Sequence, residues 1–148
     1  MPTIDIKKKD LDSLIGRKLS VEVLEKRLML AKAELKEYNA GTDDLKVELS
    51  DSNRPDLWCA EGVARQIRIA LTGKPEEYSF FKPGHKPTRI IRVSKDMKAV
   101  RPYIAACIAF GIRMNDDVLA QMIQSQDKLA EIFGRQRSTV SIGIYEMD

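Results

Sequence analysis

The chain is predicted to be an α+β protein: a small mixed N-terminal domain followed by the incomplete beginning of a second, α/β domain. Three observations predict this. Leu45, Val47 and Leu49 alternate with Lys46 and Glu48, the two-residue period of a half-buried strand. Leu57, Ala60, Ala64, Ile67 and Leu71 recur at helical spacing. Between such segments, residues 74–88 carry Pro75, Pro83, Gly84 and Pro87, the composition of a linker.

Hydrophobic residues make up 43% and charged residues 32% of the 148-residue chain, which favours folding over disorder. No apolar run approaches the roughly 20 residues of a membrane span, and no apolar core of a signal peptide follows the basic start. A cytoplasmic protein without membrane contact is expected. Cys59 and Cys107 lie far apart, neither belongs to a C-x-x-C pair, and His85 is the single histidine. Their apolar neighbours suggest buried, reduced thiols, and no metal site is expected. His85 sits in Lys-Pro-Gly-His-Lys-Pro, a poor setting for a positioned base.

Residues 3–6 alternate as a short strand. Residues 10–15 suit a short helix stopped by Gly16. Ser20 caps a second helix, with Val21, Leu24 and Leu28 on one stripe and Glu22 in its first turn. Strands at 34–38 and 45–49 flank Asn39-Ala40-Gly41-Thr42-Asp43, a turn composition. A turn from Asp51 then runs into a helix. Asn53 can cap it, Pro55 suits its first turn, Asp56 faces its positive end, and Glu61 and Arg65 form an i,i+4 pair. That helix should reach Leu71 and stop at Gly73. Downstream, 89–93 reads as a strand and 103–110 as a buried strand, with a helix as the alternative. Asn115 or Asp116 caps a long helix ending at Phe133 before Gly134, and 139–144 reads as a closing strand.

Three features invite a functional reading, each beside a plain one. Residues 82–101 hold seven basic side chains with Asp96 as the one acid. Such a stretch can meet phosphates, but without interleaved aromatics a solvated connector suits it better. Gln126 falls inside the stripe Leu119, Met122, Ile123, Leu129 and Phe133. A buried amide needs a partner, either a neighbouring backbone or a ligand. Arg135 and Arg137, two apart in an extended segment, would share a side and could hold an anion. A basic turn at a helix end is the equal alternative. Asp56 has no second carboxylate nearby, so acid–base chemistry is not suggested, and no P-loop or dinucleotide glycine pattern is present.

Several motifs in collinear order resemble the β subunit of phenylalanyl-tRNA synthetase of the archaeal and eukaryotic type. They are Met1-Pro2-Thr3-Ile4, Leu14-Ile15-Gly16-Arg17, Asn53-Arg54-Pro55-Asp56-Leu57, Glu61-Gly62-Val63-Ala64-Arg65 and Arg101-Pro102-Tyr103. Gln126-x-Lys128-Leu129, Gly134-Arg135-x-Arg137 and Ser141-Ile142-Gly143-Ile144-Tyr145-Glu146-x-Asp148 follow. The resemblance implies that 1–73 is the N-terminal domain, 74–88 a linker, and 89–148 the first part of an editing domain that hydrolyses tyrosine wrongly attached to tRNA(Phe). It places Gln126 and Arg137, and less closely Arg135, near the editing pocket, with no certain catalytic residue. Asn53, Arg54, Pro55, Asp56, Glu61, Gly62 and Arg65 form a structural signature. Where Ala130 stands the family often has histidine. The implied partners are the synthetase α subunit and tRNA(Phe). ATP and Mg2+ belong to the whole enzyme and no cofactor is expected on this chain. Alone, it is expected to be inactive and open to self-association through unpaired strand edges. A free-standing RNA- or protein-binding module is the alternative.

Overall fold

The computed structural model describes residues 1–50, 53–78 and 89–146. The α+β expectation is met by a three-stranded antiparallel sheet with helices on one face. Strand β1 (Thr3–Lys7) leads directly into helix α1 (Lys8–Ile15), and α2 (Val21–Leu28) follows. A 3-10 turn (Met29–Ala31) precedes β2 (Ala33–Asn39), which returns as β3 (Asp44–Leu49). A second 3-10 turn (Pro55–Leu57) precedes α3 (Ala60–Thr72). The sheet order is β1-β3-β2.

The two-residue period decides which face is buried. Ile4 opposes Val47 and Ile6 opposes Leu45, so four apolar side chains meet on one face. Leu11 and Ile15 of α1, Leu24 and Leu28 of α2, and Val63 and Ile67 of α3 close that face into one core. Truncating one such side chain to alanine removes about 2–5 kcal/mol of stability.

The helix boundaries follow the expected chemistry. Gly16 and Gly73 end α1 and α3 in the left-handed conformation, at φ 84° and 67°. The Ser20 hydroxyl accepts from the Val23 N–H at 3.4 Å and caps α2. The α1 cap comes from a distance. The Asp43 carboxylate, at the end of the β2–β3 turn, accepts from the Lys9 N–H at 2.8 Å, and its carbonyl accepts from Lys8 N–H at 2.9 Å. Asp12 is buried within α1, where it accepts from Lys8 Nζ at 2.6 Å and from the Leu19 N–H at 3.1 Å.

The structure divides into two compact units, Met1–Glu76 with Met114–Asp148, and Glu77–Arg113. In the first unit, Asn115 caps α4 (Asp116–Lys128) by accepting from the Val118 N–H at 2.8 Å. The predicted helix to Phe133 continues as a π-helical turn (Leu129–Phe133). The strand expected at 139–144 is irregular and largely exposed. The second unit has one short 3-10 turn (Lys95–Ala99) among its described residues. The strands expected at 89–93 and 103–110 are not formed. Ile90, Tyr103 and Phe110 are 84%, 92% and 72% exposed. Cys107, expected to be buried, is exposed with them. Strand propensity becomes structure only when a neighbouring strand takes up the backbone hydrogen bonds, and no such ladder forms here among the described residues. His85, Lys82, Lys86 and the linker from 79 to 88 lie outside the described residues, as do Asp51, Ser52 and Asp148.

Asp43→Ala removes the tertiary cap of α1 and a bond from the Tyr38 hydroxyl to Asp43 Oδ1. It also leaves alanine at φ 60°. The variant is expected to lose about 1–2 kcal/mol in urea unfolding, and Asp43→Asn clearly less.

Candidate functional site

The signature from Asn53 to Arg65 folds into a compact clamp, differently from the single capped helix its sequence predicts. Pro55 opens a 3-10 turn, the chain breaks at Trp58 and Cys59, and α3 begins at Ala60. The residue preceding the 3-10 turn is Arg54 and the one preceding α3 is Cys59, and neither caps through its side chain. Asn53 therefore does not start the helix. Asp56 ties the two pieces together rather than facing a helix end. Arg54 donates from Nε to Oδ1 and from Nη2 to Oδ2, both at 2.8 Å, and Arg65 Nη2 reaches Oδ2 at 2.9 Å. Arg65 thus pairs nine residues back with Asp56, instead of i,i+4 with Glu61. The Arg54 fork holds the Asp56 carboxyl below its ordinary range.

Gly62 explains how the turn fits. A Cβ there would lie 1.7 Å from the Asp56 carbonyl oxygen and 3.2 Å from the Leu57 Cα. Only glycine lets the turn cross α3 this closely. The Cys59 thiol points at the same carbonyl, 3.7 Å away. Cys59 is half-buried, and burial raises its pKa, so it is poorly disposed to act as a nucleophile. Leu57 and Trp58 both enter the core, and Trp58 is its largest fully buried side chain. The helical stripe misses Trp58 because the break at 58–59 resets the helical phase.

The second candidate region surrounds α4. Gln126 is half-buried, not buried, and its stripe neighbours Leu119, Ile123 and Phe133 are exposed. Much of the stripe is therefore exposed, while Met122 is half-buried and Leu129 packs partly against the core. Arg135 and Arg137 do not form an extended pair. Arg135, Gln136 and Arg137 have φ values of 49°, 55° and 64°, a left-handed turn after Gly134. This turn brings Arg137 back onto the helix, where it reaches Asp127 at 3.2 Å and Glu131 at 3.5 Å. Its guanidinium thus ends at the residue after Gln126. Arg135 stays exposed. Ala130 is buried, and its carbonyl accepts from the Arg137 N–H at 2.9 Å.

Sequence periodicity overlooked a third group. Gln124 Oε1 accepts from the Asp5 N–H at 2.7 Å, and Gln124 Nε2 donates to the Asp5 carbonyl at 2.9 Å. Gln121 Nε2 donates to Asp10 Oδ2 at 3.3 Å, and Lys9 pairs with Asp117 at 3.1 Å. These side chains flank a groove of about 650 Å³ whose lining includes Asp5, Lys7, Asp117, Gln121, Gln124 and Asp127. Three glutamines within six residues, at 121, 124 and 126, were the available signal. Among the described residues no three His, Cys, Asp or Glu side chains could together hold a metal ion, and no described helix is long and apolar enough to cross a membrane. No step through ATP or Mg2+ is assigned to this chain.

No protein-family model matches the chain. Individual relatives do. All 148 residues align with the phenylalanine–tRNA ligase β subunits of Pyrococcus horikoshii at 43% identity, Thermococcus kodakarensis at 40% and Borrelia turicatae at 36%. A crystal structure of an N-terminal fragment of the P. horikoshii β subunit superposes with a TM-score of 0.73 at 39% identity, over 92% of this chain and 39% of that one. These relatives are subunits of an aminoacyl-tRNA ligase. The chain belongs to the phenylalanine–tRNA ligase β-subunit family. It spans about a quarter, 26–27%, of the relatives' length.

Gly62→Ala forces the 3-10 turn off α3 and is expected to cost about 1–3 kcal/mol or more in urea unfolding. A separate pH dependence follows from Asp56. Its folded pKa is depressed, so its contribution is complete above the ordinary carboxylate value and is lost as pH falls toward the folded one. The urea midpoint should fall through that acidic window, and fall less steeply in Asp56→Asn.

Proposed function

We propose that this chain acts within a phenylalanine–tRNA ligase β subunit, contributing to aminoacylation of tRNA(Phe) through an α-subunit partner and to hydrolytic removal of tyrosine from tRNA(Phe). The observation that carries the reading is the collinear match along the whole chain to β subunits of that ligase. The chemistry gives editing a reason. A pocket that accepts phenylalanine cannot strongly reject an isostere bearing one added hydroxyl, and a second hydrolytic site supplies the missing discrimination.

In this reading residues 1–73 form the N-terminal domain, 74–88 the linker, and 89–148 the start of the editing domain. Gln126 and Arg137 stand near the editing pocket, with Arg135 beside them. The left-handed turn supports a positioning role for Arg137, because it fixes the guanidinium next to the Gln126 turn of α4. A guanidinium so held is suited to a phosphate or an esterified 3′ end. None of the three is suited to activate the hydrolytic water.

The test uses a β subunit of the relatives' full length with this sequence as its first 148 residues, assembled with an α subunit, and measures deacylation of tyrosyl-tRNA(Phe) and phenylalanyl-tRNA(Phe). Tyrosine should be released faster than phenylalanine, and Arg137→Ala should slow tyrosine release by roughly 10- to 100-fold. Equal slow release of both amino acids rejects the editing role. The 148-residue chain alone should show neither activity. Salt-sensitive tRNA binding by that chain would instead favour a free-standing module.

A further inference from the structure

Helix α4 is mounted the opposite way from an ordinary core helix. Asp117, Gln121, Gln124 and Lys128 follow one another at i, i+4, i+7 and i+11, and all four line the groove beside β1. Leu119 is exposed, and Ile123, also exposed, borders the same groove. No residue of Asp116–Lys128 is fully buried. A helix docked by hydrophobic burial shows the reverse pattern.

What holds α4 is a substitute for strand pairing. Residues of an antiparallel strand alternate between pointing their backbone groups at one neighbour and at the other side. Ile4 and Ile6 turn theirs toward β3, and Asp5 turns its N–H and carbonyl outward, along the open edge of the sheet. The Gln124 amide offers one acceptor and one donor, as a peptide group does, and engages both outward groups of Asp5. It fills the place of one residue of an added strand.

We propose that α4 is a detachable latch over the β1 edge, able to lift while the sheet and its core stay folded. Its bonds to Asp5 and Asp10 and its pairing with Lys9 can all be exchanged for water at small net loss. Little apolar surface holds it down. The anchor is at its far end, where Ala130 is buried and Leu129 packs partly against the core. The π-helical turn Leu129–Phe133 is therefore the hinge, a geometry that departs from the regular ladder where a helix can give. Latched, α4 blocks strand addition at an exposed edge. Lifted, it leaves Asp5 available for pairing.

Residue-resolved amide hydrogen exchange on the 148-residue chain tests this. In the unsubstituted protein the Asp5 amide should be protected and should open by a route insensitive to low urea, while Ile4 and Ile6 open only with the core. Gln124→Ala, and the shorter Gln124→Asn, should each speed Asp5 exchange about tenfold or more and leave Ile4 and Ile6 unchanged. Leu119→Ala, at an exposed position outside the groove, should change none of them. The latch is overturned if the Asp5 amide exchanges as fast as a free amide in the unsubstituted protein. It is equally overturned if Asp5, Ile4 and Ile6 share one urea dependence, which can be read without any variant.

Discussion

The first unit turns on the crossing of the Pro55–Leu57 turn over α3 at Gly62. There the chain leaves the sheet and must deliver both Leu57 and Trp58 to the core before α3 can cover it. A Cβ at position 62 would lie inside the Asp56 carbonyl, so the crossing exists only because residue 62 has none. Asp56 then holds the crossing from the outside, gripping Arg54 on its own turn and Arg65 on the helix. The ion pairs are half-exposed and individually weak. Their value lies in fixing two short elements in one register while Trp58 fills the space beneath.

That crossing gives the signature a physical meaning. In this structure these residues shape a joint. Glycine, proline, the acid and the two arginines each answer a different geometric demand of it.

Legibility in the sequence followed the range of the interactions involved. The elements of residues 1–50 could be read because their signals are local: alternation in β3, the Ser20 cap, the Gly16 stop. The α1 cap could not, because Asp43 approaches from the β2–β3 turn. Trp58 was missed because a periodic stripe assumes an unbroken helix. The strands expected at 89–93, 103–110 and 139–144 had the right composition, yet composition does not supply a neighbouring strand. Gln126 and Arg137 take a geometry that their spacing does not predict. The amide is half-buried on a stripe that is largely exposed, and the arginine reaches α4 through a left-handed turn that no spacing rule anticipates.

Amphipathic periodicity reports that a helix has an apolar face, and it is silent on what that face meets. In α4 the polar face met the protein first, because the β1 edge had unsatisfied backbone groups and Gln124 carried the one side-chain chemistry that matches a peptide. An edge strand that would otherwise be open is covered, and an apolar stripe is left outside. The two facts are consequences of one docking choice. The position of α4 is thus set by which of its two faces has the better partner at hand.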